Sequence, residues 1–147
     1  MPAVIRLANV YRCESVDFLY QLLRERLKRP SLNISHSKMP TKVSHARFMR
    51  SKPYRAWYLI KVADMSVGQI WLNRQNEIGV TISKNERHKG YEAAALRALI
   101  SKHKPLPRIP SKRSARFLAN ISPQNRALVQ IFKKLGARKI QCTYTFD

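Results

Sequence analysis

Residues 86–94, ERHKGYEAA, have the composition of a phosphate-binding junction. Arg87 and Lys89 supply positive charge, and Gly90 leaves the backbone uncovered. The segment follows an apolar, strand-like run and precedes an Ala-rich run that predicts a helix. The free N–H groups at a helix start and the helix dipole both favour an anion. The junction therefore predicts phosphate binding, and the alternative is a solvated turn.

The charge balance supports a partner that carries phosphate. The chain has 29 Lys and Arg against 8 Asp and Glu, a formal net charge of +21. Such a surface attracts polyanions at long range. Composition leaves open whether the partner is a nucleotide cofactor, RNA, DNA or a membrane surface.

Other composition signals limit the function classes. Cys13 and Cys142 form no CxxC pattern and are interpreted as reduced thiols, and the histidines lack zinc-ligand spacing, so no metal site is expected. No apolar run approaches the roughly 18 residues that span a bilayer, and no signal-peptide core is present. We expect one cytoplasmic domain covering residues 1–147.

The first half of the chain predicts a strand followed by two helices. Residues 3–8 form the strand, and apolar residues at helical spacing predict a helix through residues 15–29, which Pro30 ends. Residues 30–40 are interpreted as irregular. A second helix follows in residues 41–51, with Thr41 available as its N-cap.

The second half predicts a sheet with further helices. Residues 56–62 and 67–73 are rich in aromatic and β-branched residues and predict an antiparallel hairpin, with a third strand at 77–82. Then come a helix at 93–100, a proline-rich surface loop at 102–116, a strand at 116–121, a helix opened by Pro123 and stopped by Gly136, and a strand at 138–146. The order predicts a mixed α/β (α+β) fold.

The segments VGQIWL, EIGVTISKNERHKGYEAAALRALI and ANISPQNRALVQIFKKLGARK resemble the GNAT superfamily of acetyl-CoA-dependent N-acetyltransferases. Residues 34–49 look like the second-helix region of its ribosomal-protein and nucleotide-sugar acetylating branches. The resemblance implies a mostly antiparallel central sheet flanked by helices, and acetyl-CoA as cosubstrate.

One family motif is the pyrophosphate loop, R/Q-x-x-G-x-G/A. Its first five positions match Arg87, His88, Lys89, Gly90 and Tyr91, while the sixth is Glu92 instead of Gly or Ala, followed by Ala93. The resemblance implies that these seven residues bind the coenzyme. An outward-pointing Glu92 side chain would preserve binding, and an inward-pointing one would weaken it.

A second motif follows the next strand. Here the resemblance implies that Asn125 hydrogen-bonds the pantetheine arm and that Phe132 lies where the family often has a tyrosine that protonates the departing thiolate. Phe cannot donate a proton. Water or another tyrosine, such as Tyr144 or Tyr91, would take that role, or the step needs no dedicated acid.

The resemblance also implies the groups that act on the acetyl donor. Glu77 lies where several branches keep a catalytic or water-orienting Glu, and a backbone N–H between Val80 and Ile82 would polarise the thioester carbonyl. The alternative is that Glu77 is a strand-edge carboxylate that neutralises nearby arginines. Likewise, Asn125 could be only an early helix residue, with Ser122 as the cap.

Two functions follow from the sequence. The first is an enzyme that acetylates a primary amine on an acidic or phosphate-bearing acceptor, namely a protein, a nucleotide sugar or a tRNA-linked amine. The second is a degenerate, noncatalytic module that binds RNA or DNA. The proline-rich loop would supply its phosphate contacts through six cations: Lys102, Lys104, Arg108, Lys112, Arg113 and Arg116.

Overall fold

The computed structural model describes residues 3–29 and 38–146. Its four-stranded antiparallel sheet has the strand order β1-β2-β3-β4. The strands are β1 (Arg6–Asn9), β2 (Ala56–Val62), β3 (Met65–Leu72) and β4 (Ile78–Ile82), and the helices are α1 (Val16–Leu27), α2 (Lys42–Arg50), α3 (Tyr91–Lys102) and α4 (Arg126–Lys134). The predicted fold class is confirmed. Most of the stretch interpreted as irregular, 30–40, lies outside the described residues.

The β2–β3 hairpin forms as predicted and separates the two faces of the sheet. Its register pairs Trp57 with Trp71 and Tyr58 with Ile70. Because side chains alternate along a strand, Trp57 and Trp71 face α1 and α2, whereas Tyr58 and Ile70 face α3 and α4. Each face therefore has its own apolar core.

Helix ends follow local sequence signals. The Thr41 side chain accepts a hydrogen bond from Ser44 N at 3.1 Å, which confirms the predicted N-cap of α2. Gly136, at φ +91°, ends α4, and the N–H groups of Gly136 and Ala137 bond back to the carbonyls of Lys133 and Phe132, both at 3.0 Å. This pair of bonds is the Schellman motif, which satisfies carbonyls at a helix end.

The start of α4 corrects one prediction. The helix begins at Arg126, and Pro123 lies in the preceding turn, where Asn125 N bonds to Ser122 O at 2.9 Å. The Asn125 side chain, not that of Ser122, caps the helix by accepting from Leu128 N at 3.4 Å. A turn closed by Ser122 leaves Asn125 in the N-cap position, and its short amide side chain suits that role.

Two predicted strands are wrong. Residues 116–121 form only a single parallel bridge, Glu77 with Leu118, and residues 138–146 form no strand. The second segment alternates apolar and polar residues, yet Ile140, Tyr144 and Phe146 are exposed. A strand requires a neighbouring backbone to complete its ladder, and residues 138–146 find none among the described segments. No helix in the described ranges is long and apolar enough to cross a membrane.

Candidate active site

The loop between β4 and α3 ends in a glycine that leaves the helix start uncapped. His88 and Gly90 both have positive φ, at 65° and 82°, and Gly90 is the N-cap of α3 without a side chain to bond the first turn. The N–H groups of Tyr91, Glu92 and Ala93 therefore have no partner within the helix. A Cβ added to Gly90 would meet nothing within 4 Å. The space beside Gly90, at the start of α3, is thus open.

Charged side chains surround this helix start. Arg87 is half-buried and His88 is exposed, while Lys89 Nζ lies 2.9 Å from Glu86 Oε2. The hydrogen bond to Glu86 raises the pKa of Lys89, so its ammonium group stays charged. Glu92 is half-buried in the same first turn. The junction combines donors and cations with two carboxylates, those of Glu86 and Glu92.

Among the described residues, the edge of β4 that faces away from β3 pairs through a single bridge and is otherwise open. Ile78 N bonds outward to Leu118 O at 2.8 Å, whereas Ser83 N bonds to Val67 O of β3, also at 2.8 Å. Because N–H directions alternate along an antiparallel strand, the N–H groups of Val80 and Ile82 point outward like that of Ile78. Beyond the single bridge at Leu118, these two backbone donors lie on the open edge.

Glu77 lies at the closed end of that edge, and two amides hold its carboxylate. Asn73 Nδ2 donates to Glu77 Oε1 at 2.9 Å, and Asn120 Nδ2 donates to Glu77 Oε2. Asn73 Oδ1 also accepts from Glu77 N at 2.9 Å. Within the described ranges Glu77 forms no ion pair with an arginine, and its side-chain partners are these two amides. A carboxylate oxygen with one donor retains a lone pair for a water or an amine.

Asn125 and Phe132 occupy two ends of α4. The Asn125 side-chain oxygen Oδ1 accepts the capping hydrogen bond from Leu128 N. Its Nδ2 group therefore remains available as a donor. Phe132 is half-buried and packs against the core between the sheet, α3 and α4. Its ring supplies apolar contact there, in keeping with its lack of a proton to donate.

The two tyrosines considered as replacement acids lie in different surroundings. Tyr91 is the first residue of α3 and packs against the same core as Phe132. Tyr144 is 85% exposed in the unpaired segment 138–146. Of the two, only Tyr91 is placed beside the helix start.

The proline-rich loop is ordered by a buried asparagine. Asn76 is fully buried in the β3–β4 turn with φ +65°. Its Oδ1 accepts from Leu106 N at 2.8 Å, and its Nδ2 donates to Leu106 O at 3.0 Å and to Ser114 O at 2.6 Å. The loop is therefore fixed to the sheet at two points.

The six cations of residues 102–116 are not equivalent. Arg113 donates to the carbonyls of Pro107 at 2.7 Å and Arg74 at 3.1 Å, so its guanidinium supports the loop. Lys102 lies over the Tyr58 ring, with Nζ 5.6 Å from the centroid. The other four are exposed at the surface: Lys104, Arg108, Lys112 and Arg116.

The sequence interpretation missed three asparagines that organise the site. Asn73 and Asn120 hold Glu77, and Asn76 holds the loop. An asparagine in a turn is ordinary, so residue type alone gave no signal at Asn73 or Asn120. Asn76 had a weak one, because it directly precedes a strand and Asn tolerates a positive φ.

Comparison with known families identifies the chain. The model of the acetyltransferase (GNAT) domain matches residues 17–138. No curated protein matches the chain by sequence.

Solved structures share the fold at low sequence identity. An acetyltransferase from Thermus thermophilus aligns with a TM-score of 0.69 and 15% identity, covering 96% of this chain and 92% of that one. RimL, the ribosomal L7/L12 α-N-protein acetyltransferase solved with coenzyme A, aligns at 0.68 and 14%, covering 88% and 77%. The microcin C7 self-immunity acetyltransferase MccE, solved with acetyl-CoA and AMP, aligns at 0.65 and 15%, covering 90% and 77%.

The match covers most of the chain, and the chain belongs to the GNAT acetyltransferase family. It is an acyl-CoA-dependent N-acetyltransferase, and acetyl-CoA is the cosubstrate of this family. The resemblance inferred from the pyrophosphate loop and the second motif is thereby confirmed.

Proposed function

We propose that the open edge of β4 and the start of α3 together form the acetyl-CoA site. The observation that carries this proposal is the continuity of backbone donors. The outward N–H groups of Val80 and Ile82 lead along the strand to the uncapped first turn of α3. A pantetheine arm has amides that can pair with a strand edge, and a pyrophosphate is favoured at a helix start.

Each predicted residue has a place in this site. Arg87, His88, Lys89 and Gly90 with the first turn, Tyr91 to Ala93, bind the pyrophosphate through backbone donors and positive charge. The free Nδ2 group of Asn125 donates to the pantetheine arm. Phe132, near the other end of α4, packs against the core and provides an apolar surface for the pantetheine arm.

The chain's own groups then act on an acceptor amine. Acetyl-CoA supplies an acetyl thioester, which a neutral amine can attack. The Val80 N–H is oriented to stabilise negative charge that develops on the carbonyl oxygen. Glu77, fixed by Asn73 and Asn120, accepts the amine proton directly or through a water. No side chain is needed as an acid, because a thiolate leaves at neutral pH.

The acceptor is a primary amine on an acidic or phosphate-bearing molecule. A net charge of +21 attracts such molecules and repels cationic ones. The fold is shared with RimL and MccE, whose names and ligands refer to a ribosomal protein and to AMP. Family membership does not favour the alternative of a noncatalytic module that binds RNA or DNA. Contacts between phosphates and the six loop cations stay a prediction.

Calorimetric titration of acetyl-CoA into nucleic-acid-free protein tests the site, in about 0.3 M salt to screen nonspecific attraction. We expect saturable one-to-one binding that Gly90→Asp removes. Aspartate tolerates a positive φ and can cap the helix, so the fold should survive while its carboxylate repels the pyrophosphate.

Gly136→Asp is the matched control. It makes the same substitution at another glycine of positive φ, at the far end of α4. It should leave acetyl-CoA binding unchanged. Equal losses in both variants, or no saturable binding by the unmodified protein, would contradict the proposed site.

A further inference from the structure

A cavity of about 260 Å³ lies between the α1–α2 pair and the sheet, away from the proposed pyrophosphate loop. Helices α1 and α2 form one wall, and β2 and β3 form the floor. Ligand pockets for drug-sized molecules start at roughly 300 Å³, so this one suits a ligand of one or two rings. Its lining includes Arg26, Phe48, Tyr54, Trp57, Gln69 and Trp71.

Aromatic rings dominate the lining. Tyr54 stacks on Trp71 with centroids 4.6 Å apart and an interplanar angle of 6°, and Trp57 meets Tyr54 edge-on at 5.0 Å. Phe48 extends the cluster, with its ring 6.0 Å from Tyr54, and is 43% exposed. Tyr54 covers one face of Trp71, and the indole in turn lies against Gly79, so a planar ligand would pack against ring edges and the exposed part of Phe48.

Arg26 brings positive charge into this apolar setting. Its guanidinium is half-buried on α1. Burial lowers the pKa of Arg26, and the electrostatic interaction with Tyr54, which raises that pKa, opposes the shift only in part. Within residues 3–29 and 38–146, Arg26 has no acidic partner. A desolvated cation without a counter-ion is costly, and an anion placed beside it would offset that cost.

Gln69 adds a neutral donor to the floor. Its Oε1 accepts from Trp57 Nε1 at 2.8 Å. Because an indole nitrogen can only donate, this bond fixes the orientation of the amide. The Gln69 NH₂ group is then left to donate to a polar atom on a ring.

The described lining contains no carboxylate, and Lys38 adds a second cation. The set of groups therefore favours ligands that combine a flat ring with negative charge. It disfavours cationic ligands, because Arg26 and Lys38 would repel them.

We propose that this cavity binds a planar aromatic ring that carries a phosphate or carboxylate group. The compound bound here also carries the acceptor amine, and this part of the proposal rests on the proposed function. Trp71 connects the two sites, since its indole covers Gly79 of β4. By strand alternation Glu77 lies on the same face of the sheet as Gly79 and the cavity.

The chain provides its own reporter. Both of its tryptophans, Trp57 and Trp71, line the cavity, so tryptophan fluorescence reports on ligands bound there when acetyl-CoA is absent. The probes are AMP for a phosphate and benzoate, which lacks the indole emission, for a carboxylate. Adenosine lacks the anion, and inorganic phosphate lacks the ring. We expect saturable quenching by AMP, or by benzoate, at a concentration about tenfold below that required for adenosine, and no quenching by phosphate.

Two arginines on α1 separate specific recognition from general attraction. Arg26→Gln should weaken binding of the anionic ring about tenfold and leave adenosine unaffected. Arg24→Gln removes the same charge from an exposed position on the same helix and should change neither. A preference for AMP over benzoate would assign the natural anion as phosphate, and the reverse as carboxylate.

Other results would overturn the proposal. Equal binding of AMP and adenosine would show that Arg26 does not recognise the anionic group. Equal losses in both arginine variants would reduce the effect to surface charge. Since these titrations contain no acetyl-CoA, their failure is independent of a failure of the coenzyme titration. Binding of the ring without binding of acetyl-CoA would reject the proposed function and the acceptor role, but not the cavity as a binding site.

Discussion

The indole of Trp71 covers Gly79 across the β3–β4 pair. A Cβ added to Gly79 would lie 2.1 Å from Trp71 Cζ2 and 2.2 Å from Cε2. The two residues are direct register partners, so the contact follows from the pairing of the strands. Glycine at this position is therefore required for the indole to lie flat over the strand.

Gly79→Ala should displace the indole. Because the added methyl group overlaps a ring fixed by stacking on Tyr54, we expect a loss of about 1–3 kcal/mol in the free energy of unfolding, as is usual for overpacking. The emission of the native protein should also shift as Trp71 becomes more exposed. Urea unfolding followed by fluorescence measures both effects.

Gly136→Ala is the control for that substitution. Gly136 has a positive φ with open space around it, so alanine there strains the backbone without touching a tryptophan. It should lower stability and leave the native emission unchanged. An unchanged spectrum for Gly79→Ala would show that the indole does not lie over the strand.

Asn76 should control the order of the proline-rich loop. Asn76→Gly keeps the positive φ accessible and removes three side-chain hydrogen bonds, leaving the Leu106 peptide and Ser114 O without their partner. Each buried polar group left unpaired costs about 1–3 kcal/mol. We expect a clear loss of stability and faster tryptic cleavage after Arg108 and Lys112.

The comparison with Asn76→Asp distinguishes hydrogen bonding from backbone strain. Aspartate also tolerates a positive φ, but its carboxylate faces the carbonyls of Leu106 and Ser114 without a donor. It should destabilise the protein more than glycine does. Loop cleavage at the original rate in both variants would show that Asn76 does not hold the loop.

Local signals in the sequence predicted the elements that depend on near neighbours. Thr41 caps α2 and Gly136 ends α4 because the bonds concerned join residues at most five positions apart. The hairpin was predictable because its strands are separated by a short turn. The sequence also located the uncapped helix start at Gly90, since a glycine directly precedes the helix in the loop that follows β4.

Long-range pairing is where the sequence was insufficient. Residues 138–146 have the period of a strand, but a period does not provide a neighbouring strand. The bridge between Glu77 and Leu118 and the bond from Asn120 to Glu77 join segments about forty residues apart. Which amide would meet Glu77 depends on that contact, so no local pattern could name Asn120.

Glu92 should weaken coenzyme binding in the unmodified protein. Its carboxylate lies in the first turn of α3, at the motif position where the family has Gly or Ala. Two negative charges near one another disfavour binding. Glu92→Ala should therefore lower the Kd for acetyl-CoA about threefold to tenfold, corresponding to about 0.7–1.4 kcal/mol.

A matched substitution controls for net charge. Glu25→Ala raises the charge by the same amount but acts from α1, where the carboxylate accepts from Lys84 N at 3.0 Å. It should change the Kd less than Glu92→Ala does. If both variants bind acetyl-CoA like the original protein, the Glu92 side chain points away from the pyrophosphate.

His103 should make the protein less stable in mild acid. Burial, followed by the positive charges of Arg55 and Lys102, lowers its pKa below the ordinary value of 6.5. Its Nε2 lies 2.7 Å from the hydroxyl of Tyr58, which can donate to it only while that nitrogen is unprotonated. Folding therefore favours the neutral imidazole.

The sign of the pH dependence follows from proton uptake. Below pH 6.5, His103 is protonated in the unfolded chain but stays largely neutral in the folded protein. The unfolded state therefore binds more protons, and stability falls as the pH decreases toward the lowered pKa of the folded state. His103→Gln keeps a hydrogen-bond acceptor for Tyr58 and cannot titrate. Urea unfolding between about pH 5 and pH 8 should show a smaller acid loss for this variant than for the original protein, because other histidines still titrate in both. Identical pH profiles would mean that the pKa of His103 is the same in the folded and unfolded chains.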